Sequence, residues 1–315
     1  MLECRRRIDK IPGLPNLKTS TAGEYFRDLK ETVKNTDQYV NTWDGELYLE
    51  YHRGTYTSQG YNKRMNRKME LLYRRVEWLA VLDALKKKDI NAARQEELTT
   101  GWKHILTDQF HDIIPGSSIH EVYEDSRKDY EYIEGIAREV ENGAIADITE
   151  AKNDHYTVFN ASGWSRDEII AVPEDREGIY RDANGNELAS QQAGDVTYVA
   201  VKNVPAMGAE EIVFEEKKTE ENEAKFTISG KDIETPYYSI SLNAYGQITR
   251  LYDKTFDKEV VPAGERANVL QIFEDKPIDN DAWDIDIFYQ EKMREITDLT
   301  KFEVTECGAL QMKIR

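Results

Sequence analysis

Met65-Asn-Arg-Lys-Met69-Glu-Leu-Leu72-Tyr-Arg-Arg-Val76-Glu-Trp-Leu79-Ala-Val-Leu82 places an apolar residue at every third or fourth position. That is the period of one helix face, and Arg64, Arg67, Arg74, Lys86 and Lys87 fall mostly off it. A second stripe, Leu98, Trp102, Ile105, Leu106 and Phe110, predicts another helix. Ile113-Ile-Pro115-Gly116 must end it, because Pro115 has no N–H to give and Gly116 takes a left-handed turn freely. Ser118-x-x-Glu121 reads as a capping box for a third helix through Ile119, Val122, Tyr123, Tyr130, Ile133, Ala137 and Val140. Short connections between three such helices predict an antiparallel three-helix bundle over residues 63–151.

After Lys152 the period drops to two. Tyr156–Phe159, Glu168–Val172, Val196–Val201, Glu211–Phe214, Tyr237–Leu242, Gln247–Tyr252 and Val269–Phe273 read as strands. Asn184-Gly185 and Asn243-Ala-Tyr-Gly246 supply hairpin turns. Many short strands with polar turns predict an antiparallel β-sandwich over 152–315, cut short because Met312-Lys-Ile-Arg315 is itself strand-like. Residues 1–62 are mixed and turn-rich, and read as the tail of something larger. The fold class is thus multi-domain, α then β.

The chain has 315 residues, with 42 Lys+Arg against 60 Asp+Glu, a net charge of −18. Nucleic acid and anionic membrane surfaces are excluded as partners on charge. No apolar run approaches the roughly 20 residues of a membrane span, and no apolar stretch follows Arg5-Arg6-Arg7 to make a signal peptide. Cys4 and Cys307 are the only cysteines, too few for a disulfide scaffold. The expectation is a soluble, cytoplasmic protein, and a homo-oligomer is compatible with it. Phosphate-loop, dinucleotide, zincin and nucleophile-elbow motifs are missing.

Three segments invite a chemical reading. Gln109-Phe110-His111-Asp112 ends a helix, where an imidazole, a common metal ligand, can be aimed into one cleft with a carboxylate that ligates, orients or binds a sugar hydroxyl. The bland reading is a histidine bonded to a local carbonyl. His104, about 10 Å back along the helix, is too far to share an ion with His111. Glu46, Glu50, His52, Arg53 and Tyr56 crowd a second segment before the first helix, with Gly54 allowing a turn. A strand with one solvated face competes with a carbohydrate cleft there. Asp281, Trp283 and Asp284 put carboxylates beside an aromatic face, a common way to hold a sugar ring, against a solvated acidic loop as the alternative. The order Asp279-x-Asp281 lacks the glycine and distal Glu of a calcium loop.

In this order, Glu46-Leu-Tyr-Leu-Glu-Tyr-His-Arg-Gly-Thr-Tyr-Thr-Ser58, Gln109-Phe-His-Asp-Ile-Ile-Pro-Gly-Ser-Ser118 and Phe273-Glu-Asp-Lys-Pro-x4-Ala-Trp-Asp284 closely resemble the α-mannosidases of glycoside hydrolase family 38. The likeness spans nearly the whole chain and favours the bacterial and cytosolic branch, since Phe110 and His52 stand where other members carry His and Trp. It implies that residues 1–62 are the tail of an α/β catalytic domain, followed by the helical middle domain and β-sandwiches. It implies a zinc cofactor with His111 as one of four ligands, and Asp112 on mannose hydroxyls. Tyr56, His52, Arg53, Trp283 and Asp284 would line the substrate cleft. The remaining ligands and the nucleophile would lie in a missing N-terminal catalytic half, a necessary partner. Glu46 is the candidate general acid, with Glu50 behind it. The implied reaction is retaining hydrolysis of an α-mannoside or oligomannose. The rivals are a non-catalytic carbohydrate-binding or assembly module, and a purely structural protein.

Overall fold

The computed structural model describes residues 2–45, 52–218 and 224–315. It divides into two units, Met1–Tyr48 and Leu49–Arg315. The first holds helices α1 (Leu2–Ile8) and α2 (Ala22–Lys34). Thr21 caps α2, its hydroxyl accepting from the Glu24 amide at 3.2 Å. Tyr25, Phe26, Leu29 and Val33 of α2 are all exposed. Neither helix was evident in the turn-rich reading of this stretch, although Tyr25, Phe26, Leu29 and Val33 of α2 do recur on one helix face.

The second unit opens with three helices, α3 (Gly60–Lys87), α4 (Ala92–Asp108) and α5 (His120–Ile148). Met65, Met69, Leu72, Tyr73 and Val76 of α3, Leu98 and Ile105 of α4, and Tyr130, Ile133, Ala137 and Val140 of α5 share one core. The Tyr73 hydroxyl donates to the Ile133 carbonyl at 2.8 Å and so ties α3 to α5. Gly101 of α4 lies directly on the Tyr73 ring. Asn62 and Ser126 bond to each other inside the same interface. At the opposite end, Asp83 is buried against Arg94, whose guanidinium also reaches Asp147 at 2.9 Å.

Two details depart from the sequence reading. The buried face of α4 runs Leu98, Gly101, Ile105, Asp108, whereas Leu106 and Phe110 face solvent. Helix α5 is capped by Ile119 without a side-chain bond, not by a Ser118–Glu121 capping box. Ser118 is otherwise engaged: its hydroxyl donates to the Asp112 carbonyl at 2.5 Å, and its amide donates to the Tyr123 hydroxyl.

Asp108 therefore occupies a core position that an apolar residue would normally take. Burial, reinforced by the nearby Asp129 charge, pushes its carboxyl up to about 7. The folded chain then holds a proton that the unfolded chain has released above its ordinary value near 4. Folding takes up that proton, so this group's contribution to stability falls as pH rises from about 4 to about 7. Asp108→Asn is expected to remove that slope and to be more stable than the parent at pH 8 by on the order of 2 kcal/mol. Urea unfolding at pH 5 and pH 8 checks this; parallel pH dependence in both proteins would contradict it.

Beyond α5 every strand pairing is antiparallel. Strands β1 (His155–Asn160), β2 (Arg166–Val172), β3 (Gly178–Arg181), β4 (Glu187–Leu188), β5 (Ser190–Ala193), β6 (Val196–Val204) and β7 (Gly208–Glu216) form two sheets, ordered β1-β7-β3-β4 and β2-β6-β5. Val172, Tyr180, Val199, Val201, Val204, Ile212 and Phe214 from both sheets make one core. Strands β8 (Thr227–Ser229), β9 (Asp232–Glu234), β10 (Tyr238–Leu242), β11 (Ile248–Asp253) and β12 (Lys258–Glu259) form a third sheet in the order β12-β11-β10-β9-β8. Two hairpins follow, β13 (Gln271–Phe273) with β14 (Met293–Glu295), and β15 (Val304–Cys307) with β16 (Met312–Ile314). The strands thus spread over several sheets instead of one sandwich. Period-two patterning marks a strand but not its partner.

Candidate functional site

The long excursion between β13 and β14 carries Trp283, and it returns to the start of the helical region. Asn280 accepts from the amides of Trp283 and Asp284 at 2.8 and 2.9 Å, closing a turn. The Trp283 carbonyl accepts from the Gly54 amide at 2.8 Å. Gly54 begins a short 3-10 turn, Gly54–Tyr56. A Cβ there would lie 3.0–3.2 Å from the Trp283 carbonyl group and the Asp284 nitrogen, so Gly54 serves close backbone approach as well as the turn. The His52 ring meets Trp283 edge-on at 5.0 Å, with its Nδ1 buried and unbonded among the described residues.

Ser58 knits the segments together. Its hydroxyl lies 2.8 Å from the Gly54 carbonyl and 3.0 Å from the Ala282 carbonyl. Its own carbonyl accepts from Lys63 Nζ at 2.5 Å, and the same ammonium donates to the Ile114 carbonyl at 2.9 Å. Burial lowers the Lys63 pKa from its ordinary value. Gly116, at φ +89°, lies so close to Ser58 that a Cβ would sit 2.6–2.7 Å from its carbonyl and Cβ. The turn after α4 is therefore pressed against the turn before α3.

His111 sits on that turn, three residues past the end of α4. Its ring is 76% exposed, 3.3 Å from the Asp112 carboxylate and 4.4 Å from the Phe110 ring centroid. Asp112 is held through its backbone, whose carbonyl accepts from Ser118. Tyr56 and Asp281 are exposed, and Arg53, Trp283 and Asp284 half-buried. Glu46 and Glu50 lie outside the described residues. His104 pairs instead with Asp129 on α5, at 3.1 Å. Among the described residues no three His, Cys, Asp or Glu side chains group as a metal site. His111 with Asp112 falls short of the three protein ligands a catalytic zinc takes, so zinc does not fit on these residues alone.

Sequence reasoning missed Lys63, which lies off the apolar stripe and resembles any solvated lysine. It also missed the part played by Ser58. The glycines there, Gly54 and Gly116, were read as turn formers alone.

Two family profiles match the chain: "Alpha mannosidase middle domain" over residues 50–148, and "Glycosyl hydrolases family 38 C-terminal domain" over 233–315. The chain belongs to glycoside hydrolase family 38. It is 28% identical to alpha-mannosidase G of Dictyostelium discoideum, over all of this chain and 32% of that protein. It is 26% identical to alpha-mannosidase 2C1 of Homo sapiens, over 94% of this chain and 27% of the relative. The crystal structure of an alpha-mannosidase from Enterococcus faecalis shares the fold, with a TM-score of 0.66 at 16% identity over 95% of this chain and 39% of that one. The family 38 chain thus spans about a third or less of the length of these curated relatives.

Proposed function

We propose that this family 38 chain supplies one side of the substrate cleft of a retaining α-mannosidase. The observation that carries the reading is the meeting of the three motif segments at Ser58, far apart in sequence and bonded in space. In this reading residues 1–62 are the tail of the catalytic α/β domain, 63–151 the helical middle domain, and 152–315 the β domain. The common core of the first two sheets supports a sandwich for the early part of that β domain.

The assignments follow from what each side chain can offer a sugar. Asp112, held by its backbone with its carboxylate half exposed, accepts hydrogen bonds from hydroxyls. Trp283, steadied by His52, presents an apolar face, and Asp284 beside it accepts further hydroxyl protons. Tyr56 and Arg53 donate from the adjoining turn. His111 contributes an imidazole, one of the donors of a zinc site completed by a catalytic domain. That domain also brings the carboxylate that attacks the anomeric carbon and forms the glycosyl-enzyme. Glu46, with Glu50 behind it, remains the general-acid candidate.

No helix among the described residues is long and apolar enough to cross a membrane. Cys4 and Cys307 are free and exposed, which supports a reducing, cytoplasmic setting.

The test is reconstitution. The chain is joined to a family 38 catalytic domain and assayed with an aryl α-mannoside. His111→Ala is expected to lower kcat/KM at least a hundredfold without moving the unfolding midpoint, since its ring is solvent-exposed. Undiminished turnover would remove His111 from the site and favour a carbohydrate-binding or assembly role for this chain.

A further inference from the structure

A groove of about 260 Å³ lies between the outer face of α3 and the first two sheets. Its apolar wall includes Leu71, Val158, Ile170 and Val204, and Arg74, Arg75 and Arg166 also line it. Trp78 and Phe159 meet edge-on at 6.1 Å where α3 and β1 approach. Three guanidinium groups around one small groove are unexpected in a chain of net charge −18.

Counter-ions account for two of the three. Arg166 pairs with Glu168, the one carboxylate in the lining. Arg75 gives its Nε to Glu141 at 2.7 Å, and Glu141 is already held by Arg138 at 2.8 Å. Arg74 makes no hydrogen bond or ion pair among the described residues. Arg166 and Arg75 thus each have a carboxylate, and Arg74 is the arginine of the groove left without a counter-ion among the described residues. A guanidinium carries five donors in a planar fork, so most of the donors here are unused. The Ser162 hydroxyl, also in the lining, is a further unused donor.

We propose that this groove binds a phosphoryl group, either free phosphate or a small phosphate ester. A carboxylate has two oxygens and is satisfied by one fork, whereas a tetrahedral dianion can accept from Arg74 and from the unused donors of the other two forks at once. The volume lies just below the roughly 300–1,000 Å³ of sites for drug-sized ligands, so the ligand is small. The site stands apart from the His111 and Trp283 segments and does not depend on the mannosidase reading.

The experiment is calorimetric titration of residues 1–315 with inorganic phosphate at constant ionic strength, with chloride as control. Saturable phosphate binding is expected, weakened at least tenfold in Arg74→Ala, whose exposed and unpaired side chain the fold does not need. Lys128→Ala, on exposed α5 surface away from the groove, is expected to bind like the parent. A hexose phosphate that binds more tightly than phosphate identifies an ester as the ligand. Equal binding identifies phosphate itself. Absence of saturable binding in the parent, or full binding by Arg74→Ala, would overturn the proposal.

Discussion

Gly101→Ala is expected to cost the helical region about 2–4 kcal/mol. The added Cβ would stand 1.8 Å from the Tyr73 hydroxyl and 2.3 Å from its Cζ, and Tyr73 is completely buried. A buried ring bonded to the Ile133 carbonyl has no room to move aside. Overpacking of this kind costs about 1–3 kcal/mol. Displacing the hydroxyl also leaves a buried carbonyl unpaired, about 1–3 kcal/mol more. Alanine returns up to about 1 kcal/mol in helix propensity, which leaves the net strongly unfavourable. Urea unfolding should show a lowered midpoint with an unchanged slope, and Tyr73→Leu in the same chain should recover part of the loss. A Gly101→Ala protein as stable as the parent would mean that α3 and α4 do not pack through this contact.

The second large effect concerns Gly116. At φ +89° any side chain is strained by about 1–2 kcal/mol. Here a Cβ would also meet the Ser58 backbone at 2.6–2.7 Å, so backbone has to shift. Gly116→Ala should push the His111 turn off the Gly54–Ser58 turn. A displacement near 1 Å can cost about a hundredfold in rate, and that is the loss expected in reconstituted enzyme. Gly185 separates strain from contact, because it has φ +81° with nothing within 4 Å. Gly185→Ala should show the strain alone, about 1 kcal/mol, and full activity. Equal activity of the two variants would dissociate the Gly116 contact from the site.

The helices α3, α4 and α5 were legible because their apolar faces repeat over several turns. Asp108 was not, since a carboxylate on that stripe reads as polar surface until its burial is seen. Leu106 misled for the converse reason: one apolar residue beside a stripe does not widen the buried face. The strands bounded by Val, Ile and Tyr were legible, and Gly185 and Gly246 turn the chain with positive φ where asparagine-glycine patterning predicted hairpins. Short strands such as β4, β8 and β12 carry too few residues to show any alternation. At the candidate site, the sequence marked His111 and Trp283 through motif resemblance. The joints between their segments run through the Ser58, Ala282 and Ile114 backbone carbonyls, and no side-chain alphabet encodes those.

In the proposed division of labour this family 38 chain presents His111, Asp112 and the Trp283 loop, and a catalytic domain would bring the nucleophile and the other zinc ligands. The most direct measurement is the rate of aryl α-mannoside hydrolysis by purified residues 1–315 with added zinc, alone and then mixed with that domain. The chain alone should match the buffer rate, and the mixture should turn over. Zinc-stimulated turnover by residues 1–315 alone, abolished by His111→Ala, would contradict the account.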